Sequence, residues 1–594
     1  MGPHGRPSAT KAKNFGLAIK KLAIYAKRQL PYIIAAIILT IASTVLTLVG
    51  PNKLKDLTNI IYAGLLPNTQ INMSEVQKIG ILLVVFYSLS AIFGYFQGLL
   101  MNITTQRLSK GLRRDISRKI NRLPLSYLDS TPYGDVLSRI TNDVDSMTSA
   151  LNSSITLLVS SVTLFFGCII MMFVTNWILA IAAILSSLIG IGLVFTIVSK
   201  SNKYFIRQQI TLGELNGHIE EVYSGHNVIK AYNAEREVTE EFNKHNRKLN
   251  TYAWKSMFLS SLMGPLMHFI GNLGYVVVCV VGAALAIAGK IEFGVIIAFI
   301  MYVRLFTNPL SQFAQCLTNM QTIAASSERV FEMLEEKEQP DESHKTKVLT
   351  TVKGDVEFKN VRFGYTEDKV IIKDFSASVK AGQKVAIVGP TGAGKTTLVN
   401  LLMRFYDVNS GEIYIDGVPI SQLKRENVHD LFSMVLQDTW LFEGSVKDNI
   451  IYDKKNVSMQ KVIDACKECG LHHFIKTLPN GYDTILNDAT TISAGQKQLL
   501  TIARAMIQDG PMLILDEATS SVDTRTEVLI QKAMDKLLKG RTSFIIAHRL
   551  STIKNADLIL VMNNGDVVES GTHKELLTKN GAYAKLYNSQ FEKE

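Results

Sequence analysis

Long apolar runs dominate the first half of the chain. They occur near residues 31–50, 79–101, 155–175, 177–198, 262–288 and 291–310. A helix needs about 20 apolar residues to cross a bilayer, so each run is long enough to span. The last run carries Arg304, Asn308 and Pro309 and is the weakest span by hydropathy. Because so many runs cannot all be soluble cores, the pattern predicts an all-α six-helix transmembrane domain over residues 31–334.

The polar segments between the runs predict an orientation. Basic residues gather before the first run, between the second and third, and between the fourth and fifth. By the positive-inside rule these segments face the cytoplasm, and the links near 51–78, 174–177 and 289–292 are external. Six spans then leave the N-terminus and the C-terminal half of the chain on the cytoplasmic side. The two long cytoplasmic links have helical periodicity, which predicts extensions of the spanning helices with turns near 129–135 and 213–225.

The N-terminal segment, residues 1–30, is predicted to be a tail followed by an amphipathic elbow helix along the membrane surface. It lacks the apolar core of a cleavable signal peptide.

Charge and composition separate the two halves further. The 594 residues include 63 Lys and Arg against 52 Asp and Glu, a net charge of +11. A nucleic-acid binder would gather this excess on one soluble face, whereas a membrane protein places it in cytoplasmic loops. The basic clusters flank the apolar runs, so the second explanation is favoured. A charged segment with a proline, residues 335–354, predicts a linker. Beyond it, residues 355–594 alternate strand and helix patterns, which predicts an α/β domain with a largely parallel sheet.

A glycine-rich turn in the second half carries phosphate-binding chemistry. Residues 389–396 fit the pattern GxxxxGK[ST] between the apolar strand KVAIV and a helical segment. In this motif backbone N–H groups close on phosphate oxygens at a helix N-terminus, Lys395 contacts the β- and γ-phosphates, and Thr396 binds Mg²⁺. The predicted nucleotide-binding residues here are Gly389, Pro390, Thr391, Gly392, Ala393, Gly394, Lys395, Thr396 and Thr397. The domain is therefore predicted to be an α/β P-loop nucleotide-binding domain with ATP and Mg²⁺ as cofactors.

A second motif supplies two acids. The apolar strand MLIL ends in Asp516 and Glu517. Asp516 at the strand end suits a Mg²⁺ contact, and Glu517 can act on an attacking water as general base.

Cysteine usage suggests no disulfide framework. The chain has five cysteines, and Cys466 and Cys469 with His472 and His473 form a CxxCxxHH run. This run has the spacing of a zinc or redox site. Its surrounding helical periodicity and the absence of a second cysteine pair favour a buried helix face instead.

Taken together, these motifs resemble the ATP-binding cassette (ABC) family over nearly the whole chain. The resemblance implies that Tyr365 stacks on adenine and that Gln437 contacts Mg²⁺ or water and senses the membrane domain. It places Ser493, Gly495 and Gln496 in the signature motif, Asp523 in the D-loop, and His548 as the switch histidine at the γ-phosphate. Catalysis is thus expected from Glu517, His548 and Gln437. The six spans are similar to those of multidrug half-transporters, and LSYLDSTPYGDVLSRITNDVD and EEVYSGHNVIKAYNAE resemble their coupling loops.

One departure from the family pattern concerns the signature, which reads ISAGQ instead of LSGGQ. Ala494 replaces a glycine, and a methyl group is unfavourable where the backbone must approach a ligand closely or take φ > 0. In this family the signature grips an ATP bound to the opposite subunit. A tolerated variant in a homodimer remains open, but a heterodimer with a second ABC half-transporter is favoured. This chain would then supply the working general base.

The expected function is ATP-driven export of hydrophobic or amphipathic compounds by alternating access. A lipid or peptide exporter and a non-transporting sensor or gating ATPase are the alternatives. Arg304 and His268 are the ionisable residues at membrane depth that draw notice, although a helix-end or bundle role suits them too. The half-transporter format suggests a bacterial inner membrane, with membrane lipid as a partner and no nucleic acid.

Overall fold

The protein consists of a helical unit and an α/β unit. A computed structural model describes residues 14–591 apart from 67–69, 367, 438, 488–491, 517–522 and 548–549. The first unit comprises Met1–Arg122 and Thr131–Lys337, and the second comprises Leu123–Ser130 and Glu338–Glu594. The predicted order of a helical domain followed by an α/β domain is confirmed.

Long helices make up most of the first unit. In chain order the helices up to the end of this unit are α1 (Phe15–Tyr25), α2 (Leu30–Gly64), α3 (Met73–Ile120), α4 (Leu125–Ser130), α5 (Tyr133–Ser138), α6 (Val144–Thr175), α7 (Trp177–Ser224), α8 (His226–Tyr232), α9 (Glu235–Ser261), α10 (Met263–Ile287) and α11 (Phe293–Glu335). Of these, only α4 groups with the second unit.

Four helical stretches are long and apolar enough to cross a membrane: Phe15–Gly64, Met73–Ile120, Tyr133–Thr175 and Glu235–Ile287. Two shorter apolar stretches, Trp177–Leu188 and Phe293–Pro309, coincide with the fourth and sixth predicted spans. None of the apolar window in Met73–Ile120 is buried, and Ile38, Val84 and Val280 are exposed on their helices. Apolar helices that leave such residues uncovered are suited to lipid and not to water.

The helix boundaries follow from single residues. Asn176 has extended backbone angles, which end α6, and its side chain accepts a hydrogen bond from the N–H of Leu179 to start α7. In the next link the turn predicted near 213–225 occurs only at the end of that range, because α7 runs unbroken to Ser224. The chain instead turns at Gly225 and at Asn233, whose φ of 52° lies in the left-handed region that Asn tolerates. The first span also differs, since α2 continues past Pro51 to Gly64.

Glycines allow α10 and α11 to approach closely. A Cβ on Gly274 would lie 2.8 Å from Cγ1 of Val303, and one on Gly282 would lie 2.9 Å from Cγ1 of Ile296. Small residues at such crossings permit the backbone contact that drives helix association in membranes. Phe299, a fully buried residue of α11, packs in the same cluster.

Ion pairs fasten the segment after α4 to α11. Asp135 accepts hydrogen bonds from Arg139 Nη2 at 2.9 Å and Arg329 Nη2 at 2.5 Å, and Arg329 Nε lies 3.3 Å from Asp143. Between Asp135 and α6 the chain forms a π-helical turn, Arg139–Asp143, where both end residues are buried. Removing one partner of this partly buried network would leave an uncompensated charge and destabilise the contact between the two segments.

The second unit contains twelve strands and ten further helices among its described residues. The strands are β1 (Val356–Phe363), β2 (Ile372–Val379), β3 (Lys384–Val388), β4 (Ser410–Ile415), β5 (Val418–Pro419), β6 (Phe432–Val435), β7 (Gly444–Ser445), β8 (Ile485–Leu486), β9 (Met512–Asp516), β10 (Thr542–Ile546), β11 (Leu558–Asn563) and β12 (Asp566–Gly571). The helices are α12 (Lys395–Leu402), α13 (Arg425–Asp430), α14 (Val446–Ile451), α15 (Met459–Glu468), α16 (His472–Thr477), α17 (Ala494–Gln508), α18 (Thr524–Leu538), α19 (Leu550–Lys554), α20 (His573–Thr578) and α21 (Ala582–Phe591).

The main sheet has the order β12-β11-β3-β10-β9-β6. The five strands from β11 to β6 are parallel, and only β12 pairs antiparallel, at the edge. A smaller antiparallel sheet has the order β2-β1-β4-β5. The central strands are buried on both sides, with every residue of β10 buried, including Thr542 and Ser543, because helices cover both faces of a parallel sheet.

Glu342 anchors the entry of the chain into this unit. Its carboxylate accepts hydrogen bonds from Arg404 Nη2 at 2.7 Å, Arg425 Nη1 at 2.6 Å and Lys345 Nζ at 3.0 Å. Burial disfavours its ionised form, but the Arg425 backbone N–H and these three cations outweigh that effect and hold the pKa of Glu342 below its usual range. The side chain of Arg404 is 5% exposed, so it depends on this partner.

Replacing Glu342 by Gln should destabilise the α/β unit by about 2–3 kcal/mol, since it leaves buried arginines without their counter-charge. The chain has three tryptophans, so Trp440 fluorescence in a Trp177→Phe, Trp254→Phe background reports unfolding of this unit alone. Because the folded-state pKa is depressed, the stabilisation is present above the unfolded pKa of about 4.3 and is lost as the pH falls through the folded value.

The matched control is Glu357→Gln, which removes a half-exposed carboxylate paired to Lys359 on the surface of β1. Surface pairs contribute at most about 1 kcal/mol. Equal destabilisation by both variants would show that Glu342 is no anchor.

Candidate functional site

The carboxyl ends of four parallel strands form one edge of the main sheet. Ile546 of β10 is level with Ile387 of β3 on one side and with Asp516 of β9 on the other. β6 runs beside β9 and ends at Val435, two residues before Gln437. Because all these strands are parallel, the glycine-rich turn after β3, Gln437 and Asp516 follow strand ends at the same edge.

The glycine-rich turn between β3 and α12 has the backbone of a phosphate-binding loop. Gly392 and Gly394 have φ of +83° and +98°, which L side chains rarely adopt. A Cβ on Gly389 would lie 2.3 Å from the carbonyl oxygen of Met562, so only glycine fits there. α12 then begins at Lys395 and directs its free N–H groups and positive dipole end at the turn.

Lys395 folds back over the loop. Its ammonium donates to the carbonyl oxygens of Gly389 at 2.8 Å and Pro390 at 3.1 Å. Burial lowers the pKa of Lys395, and the Asp516 carboxylate opposes this shift, which places the two charges near each other. The Lys395 ammonium, together with the backbone N–H groups of the turn and of the start of α12, is suited to binding a polyphosphate.

Hard oxygen donors accompany this cation. Thr396 is exposed at the start of α12, whereas Thr397 is buried; Pro390 and Thr391 are exposed, and Ala393 is buried. Gln437 is exposed. The Thr396 hydroxyl and the Asp516 carboxylate, with the Gln437 amide, are oxygen ligands of the kind Mg²⁺ prefers.

An aromatic cluster lies beside α12. The Tyr365 hydroxyl is 3.2 Å from Oγ1 of Thr397, and its ring meets those of Phe363 and Tyr406 edge-on, each with centroids 5.1 Å apart. Tyr365 remains 47% exposed, so a face of its ring is open to a planar base.

Tyr406 connects this cluster to α4, and the sequence pattern did not single it out. Its hydroxyl donates to Asp129 Oδ2 at 2.5 Å. Burial and this bond raise the pKa of Tyr406, so it stays a neutral donor. A pairing 277 residues apart leaves no local signal in the sequence. The contact connects α4, which lies in the first segment that resembles a coupling loop, to Tyr406. Tyr406 in turn packs on Tyr365, whose hydroxyl is near Thr397 of α12.

The signature segment forms a well-capped helix start. The Ser493 hydroxyl accepts from the Gln496 N–H at 3.2 Å, and the Gln496 side chain accepts from the Ser493 N–H at 3.0 Å, which completes a capping box at α17. Ala494 is the first residue of α17 and is exposed, while Gly495 is buried. Of the two reasons for a glycine here, close approach of a ligand or φ > 0, the second does not apply, because Ala494 adopts an ordinary helical conformation. Only close approach of a ligand is left as a reason for glycine there.

Asp523 has a structural role in this chain. Its carboxylate caps α18 by accepting from the Thr526 N–H at 3.0 Å, and these bonds from Thr526 lower the pKa of Asp523. Glu517, His548 and the rest of the D-loop lie outside the described residues. The strands that lead to Glu517 and His548, β9 and β10, pair with each other, and β10 also pairs with β3.

The CxxC run is part of the core. Cys466 and Cys469 are buried, and burial raises the pKa of their thiols to about 11 and about 12. His472 Nδ1 is 2.8 Å from the Tyr482 hydroxyl. Within the described part of the chain no three His, Cys, Asp or Glu side chains are grouped as metal ligands.

Two family models match the chain. The one described as "ABC transporter transmembrane region" matches residues 33–310, and the one described as "ABC transporter" matches residues 372–520. The second range contains the phosphate-binding turn, Gln437, the signature segment and Asp516.

Curated relatives match over most of their length. A fatty acid ABC transporter ATP-binding/permease protein of Mycobacterium bovis is 42% identical over 90% of this chain and 85% of its own. An ATP-dependent lipid A-core flippase of Syntrophus aciditrophicus is 33% identical over 88% and 87%. A probable multidrug resistance ABC transporter protein of Bacillus subtilis is 34% identical over 84% and 75%.

Replacing Tyr365 by Ala should weaken ATP binding about tenfold, because stacking of a base on an aromatic ring contributes roughly 1–3 kcal/mol. Tyr365→Phe keeps the ring and loses only the hydroxyl contact to Thr397, so its affinity should stay within about twofold. Equilibrium binding of a radiolabelled nucleotide to the purified protein distinguishes them. Equal losses in both variants would mean that the hydroxyl, and not the ring, matters.

Proposed function

Because the chain belongs to the ABC transporter family and is an ATP-hydrolysing membrane transporter, we propose that it exports hydrophobic or amphipathic compounds by alternating access. The observation that carries this proposal is the shared sheet edge. There Asp516 ends β9, and Lys395 and Gln437 come after the ends of β3 and β6. The helical unit provides the membrane path, with six spans proposed from the six apolar runs.

Each residue of the edge has a proposed role. The N–H groups of residues 389–396 and the Lys395 ammonium hold the phosphates, and Tyr365 stacks on adenine. Thr396, Asp516 and Gln437 hold Mg²⁺, which supplies neutralisation of phosphate charge. Glu517 accepts a proton from the attacking water, and His548 donates to the γ-phosphate.

A second chain completes this site. The start of α17, with Ser493, Gly495 and Gln496, is proposed to face a nucleotide on the partner, and the partner's equivalent helix faces Lys395. Exposed aromatic side chains support an obligate partner. Tyr223 near the end of α7 is 84% exposed, Tyr232 at the end of α8 is 80% exposed, and Trp440 is 61% exposed. Large aromatic side chains that are this exposed in the isolated chain are typical of surfaces that a second chain covers in the assembly.

We favour a heterodimer for this partner. Ala494 projects a methyl group from the first residue of α17, where the family has a glycine, and backbone N–H groups there would need to approach a phosphate. The partner's site would bind ATP against this altered signature and hydrolyse poorly. A homodimer that tolerates the methyl group is the alternative.

The substrate class is proposed from the membrane helices and the relatives. A path of apolar side chains with few charges suits amphiphiles. Two relatives are named for amphiphiles, a fatty acid and the lipid A-core, and a third is named for multidrug resistance. A lipid-like substrate is therefore the second candidate. We place the protein in a bacterial inner membrane with both its N-terminus and its α/β unit in the cytoplasm, as the basic links favour.

Purified chain in lipid should hydrolyse ATP slowly alone and rapidly with a co-expressed second half-transporter. Glu517→Gln in this chain alone should then lower the rate at least about 100-fold, the usual contribution of a general base. Glu468→Gln, at an exposed position of α15, is the control and should have no effect. Robust activity of the chain alone that Glu517→Gln abolishes would establish a homodimer and refute the reading of Ala494.

Sealed inside-out vesicles should accumulate a labelled fatty acid or a lipophilic dye when ATP is added, and vesicles with Glu517→Gln should not. The reason is that only hydrolysis resets the two-state cycle. Substrate-stimulated ATPase activity without accumulation would identify a gating or sensor ATPase and contradict export.

A further inference from the structure

A basic pocket lies where the elbow meets the cytoplasmic part of the second long helix. It has a volume of about 610 Å³ and is lined by Tyr25, Arg28, Gln29, Tyr32, Arg107, Leu108, Lys110, Gly111, Arg114 and Asp115. Four cations and one carboxylate leave three positive charges in its lining. Neither ATP binding nor the proposed export path uses these residues.

Three of the four cations of this pocket, Arg28, Arg107 and Lys110, are not neutralised from within. Asp115 is engaged by the Tyr25 hydroxyl at 2.6 Å and by Arg114 Nε at 3.2 Å. Across the described residues, no carboxylate lies within ion-pairing distance of Arg28, Arg107 or Lys110. Arg107 instead packs its guanidinium over the Tyr32 ring, 5.3 Å from the centroid. This contact holds one cation in place without lowering its charge.

One polar atom in the lining also lacks a partner. Oε1 of Gln29 is buried and accepts no hydrogen bond from any described residue. A buried acceptor without a donor costs free energy, which a ligand with a hydroxyl or N–H group relieves. The pocket is therefore suited to a ligand that carries a negative charge and also a hydrogen-bond donor.

The surface around the pocket changes from apolar to basic along one helix face. Leu99, Ile103 and Arg107 lie four residues apart on α3, so they share a face, with Lys110 and Arg114 following. Leu99 and Ile103 are exposed. On α2, Ile34 and Ile38 are exposed as well, but they lie on the opposite side of that helix from Tyr32, so the apolar continuation of the pocket is on α3. A molecule with a negative head and an apolar tail matches this sequence of surfaces better than a free anion does.

We propose that this pocket binds the phosphodiester headgroup of an anionic glycerophospholipid, such as phosphatidylglycerol, with its acyl chains along Leu99 and Ile103 of α3. Arg28, Arg107 and Lys110 contact the phosphate, and a glycerol hydroxyl donates to Gln29. Basic pockets between membrane helices on the cytoplasmic side are suited to such headgroups. The lipid comes from the cytoplasmic leaflet, a point that rests on the proposed orientation.

Binding is tested on the purified transporter in detergent by native mass spectrometry and thermal stabilisation. The probes are dioleoylphosphatidylglycerol, dioleoylphosphatidylcholine and inorganic phosphate. Wild-type protein should bind phosphatidylglycerol in preference to phosphatidylcholine and should gain no stability from phosphate. Arg107→Gln with Lys110→Gln should weaken phosphatidylglycerol binding at least about tenfold, since each cation near the headgroup contributes appreciably. ATP affinity, which these residues do not touch, serves as the folding check.

The matched control is Lys200→Gln with Lys203→Gln, which removes two exposed charges at the cytoplasmic end of another apolar run. It should change the affinity less than threefold. Gln29→Glu is a second variant of nearly the same shape. Its carboxylate should neutralise part of the positive charge of Arg28, Arg107 and Lys110, so the preference for phosphatidylglycerol should be lost. If both double variants lost phosphatidylglycerol affinity equally, the binding would come from overall positive charge and not from this pocket. If inorganic phosphate alone stabilised the protein, the pocket would be a site for a soluble anion and not for a lipid. Either result overturns the proposal and leaves ATP-driven export unaffected.

Discussion

The parallel arrangement of β6, β9, β10 and β3 is the constraint on which the chemistry depends. Parallel strands deliver their carboxyl ends to one edge, so residues far apart in the sequence reach one place without any local signal between them. At that edge the left-handed glycines of the turn leave N–H groups free, and α12 adds its positive end. The same geometry explains why Lys395, although partly buried, bonds to loop carbonyls: its charge needs oxygen partners until phosphate oxygens replace them.

Much of this could be predicted because the signals are local. The apolar runs, the turn at 389–396 and the strand that ends in Asp516 each carry their own pattern, and the structure places them on helices and at a strand end as expected. Pairings over long distances could not be predicted. Tyr406 with Asp129, and Glu342 with Arg404 and Arg425, join residues whose sequence neighbourhoods are unremarkable. Asp523 shows a third case, in which a residue assigned by resemblance proves also to be a helix cap.

The departures from the sequence-based expectations have a common physical cause. The turn predicted near 213–225 does not begin at Gly213, because glycine in a helix costs only about 1 kcal/mol and long helices absorb it. The chain turns instead where Gly225 and Asn233 accept unusual backbone angles. At Ala494 a left-handed backbone was one of two reasons to expect glycine, yet the residue occupies the first turn of α17, where an L side chain is unstrained. In both places the helix, and not the single residue, decides the conformation.

The most direct measurement is a cryo-EM structure of the Glu517→Gln transporter with Mg²⁺ and ATP in a lipid bilayer. The phosphates should lie over residues 389–396, with adenine on Tyr365 and the first turn of a partner's signature helix closing the site from the opposite side. Nucleotide bound elsewhere, or a closed site formed by this chain alone, would contradict the central claim that the sheet edge and a second chain together make the site that drives transport.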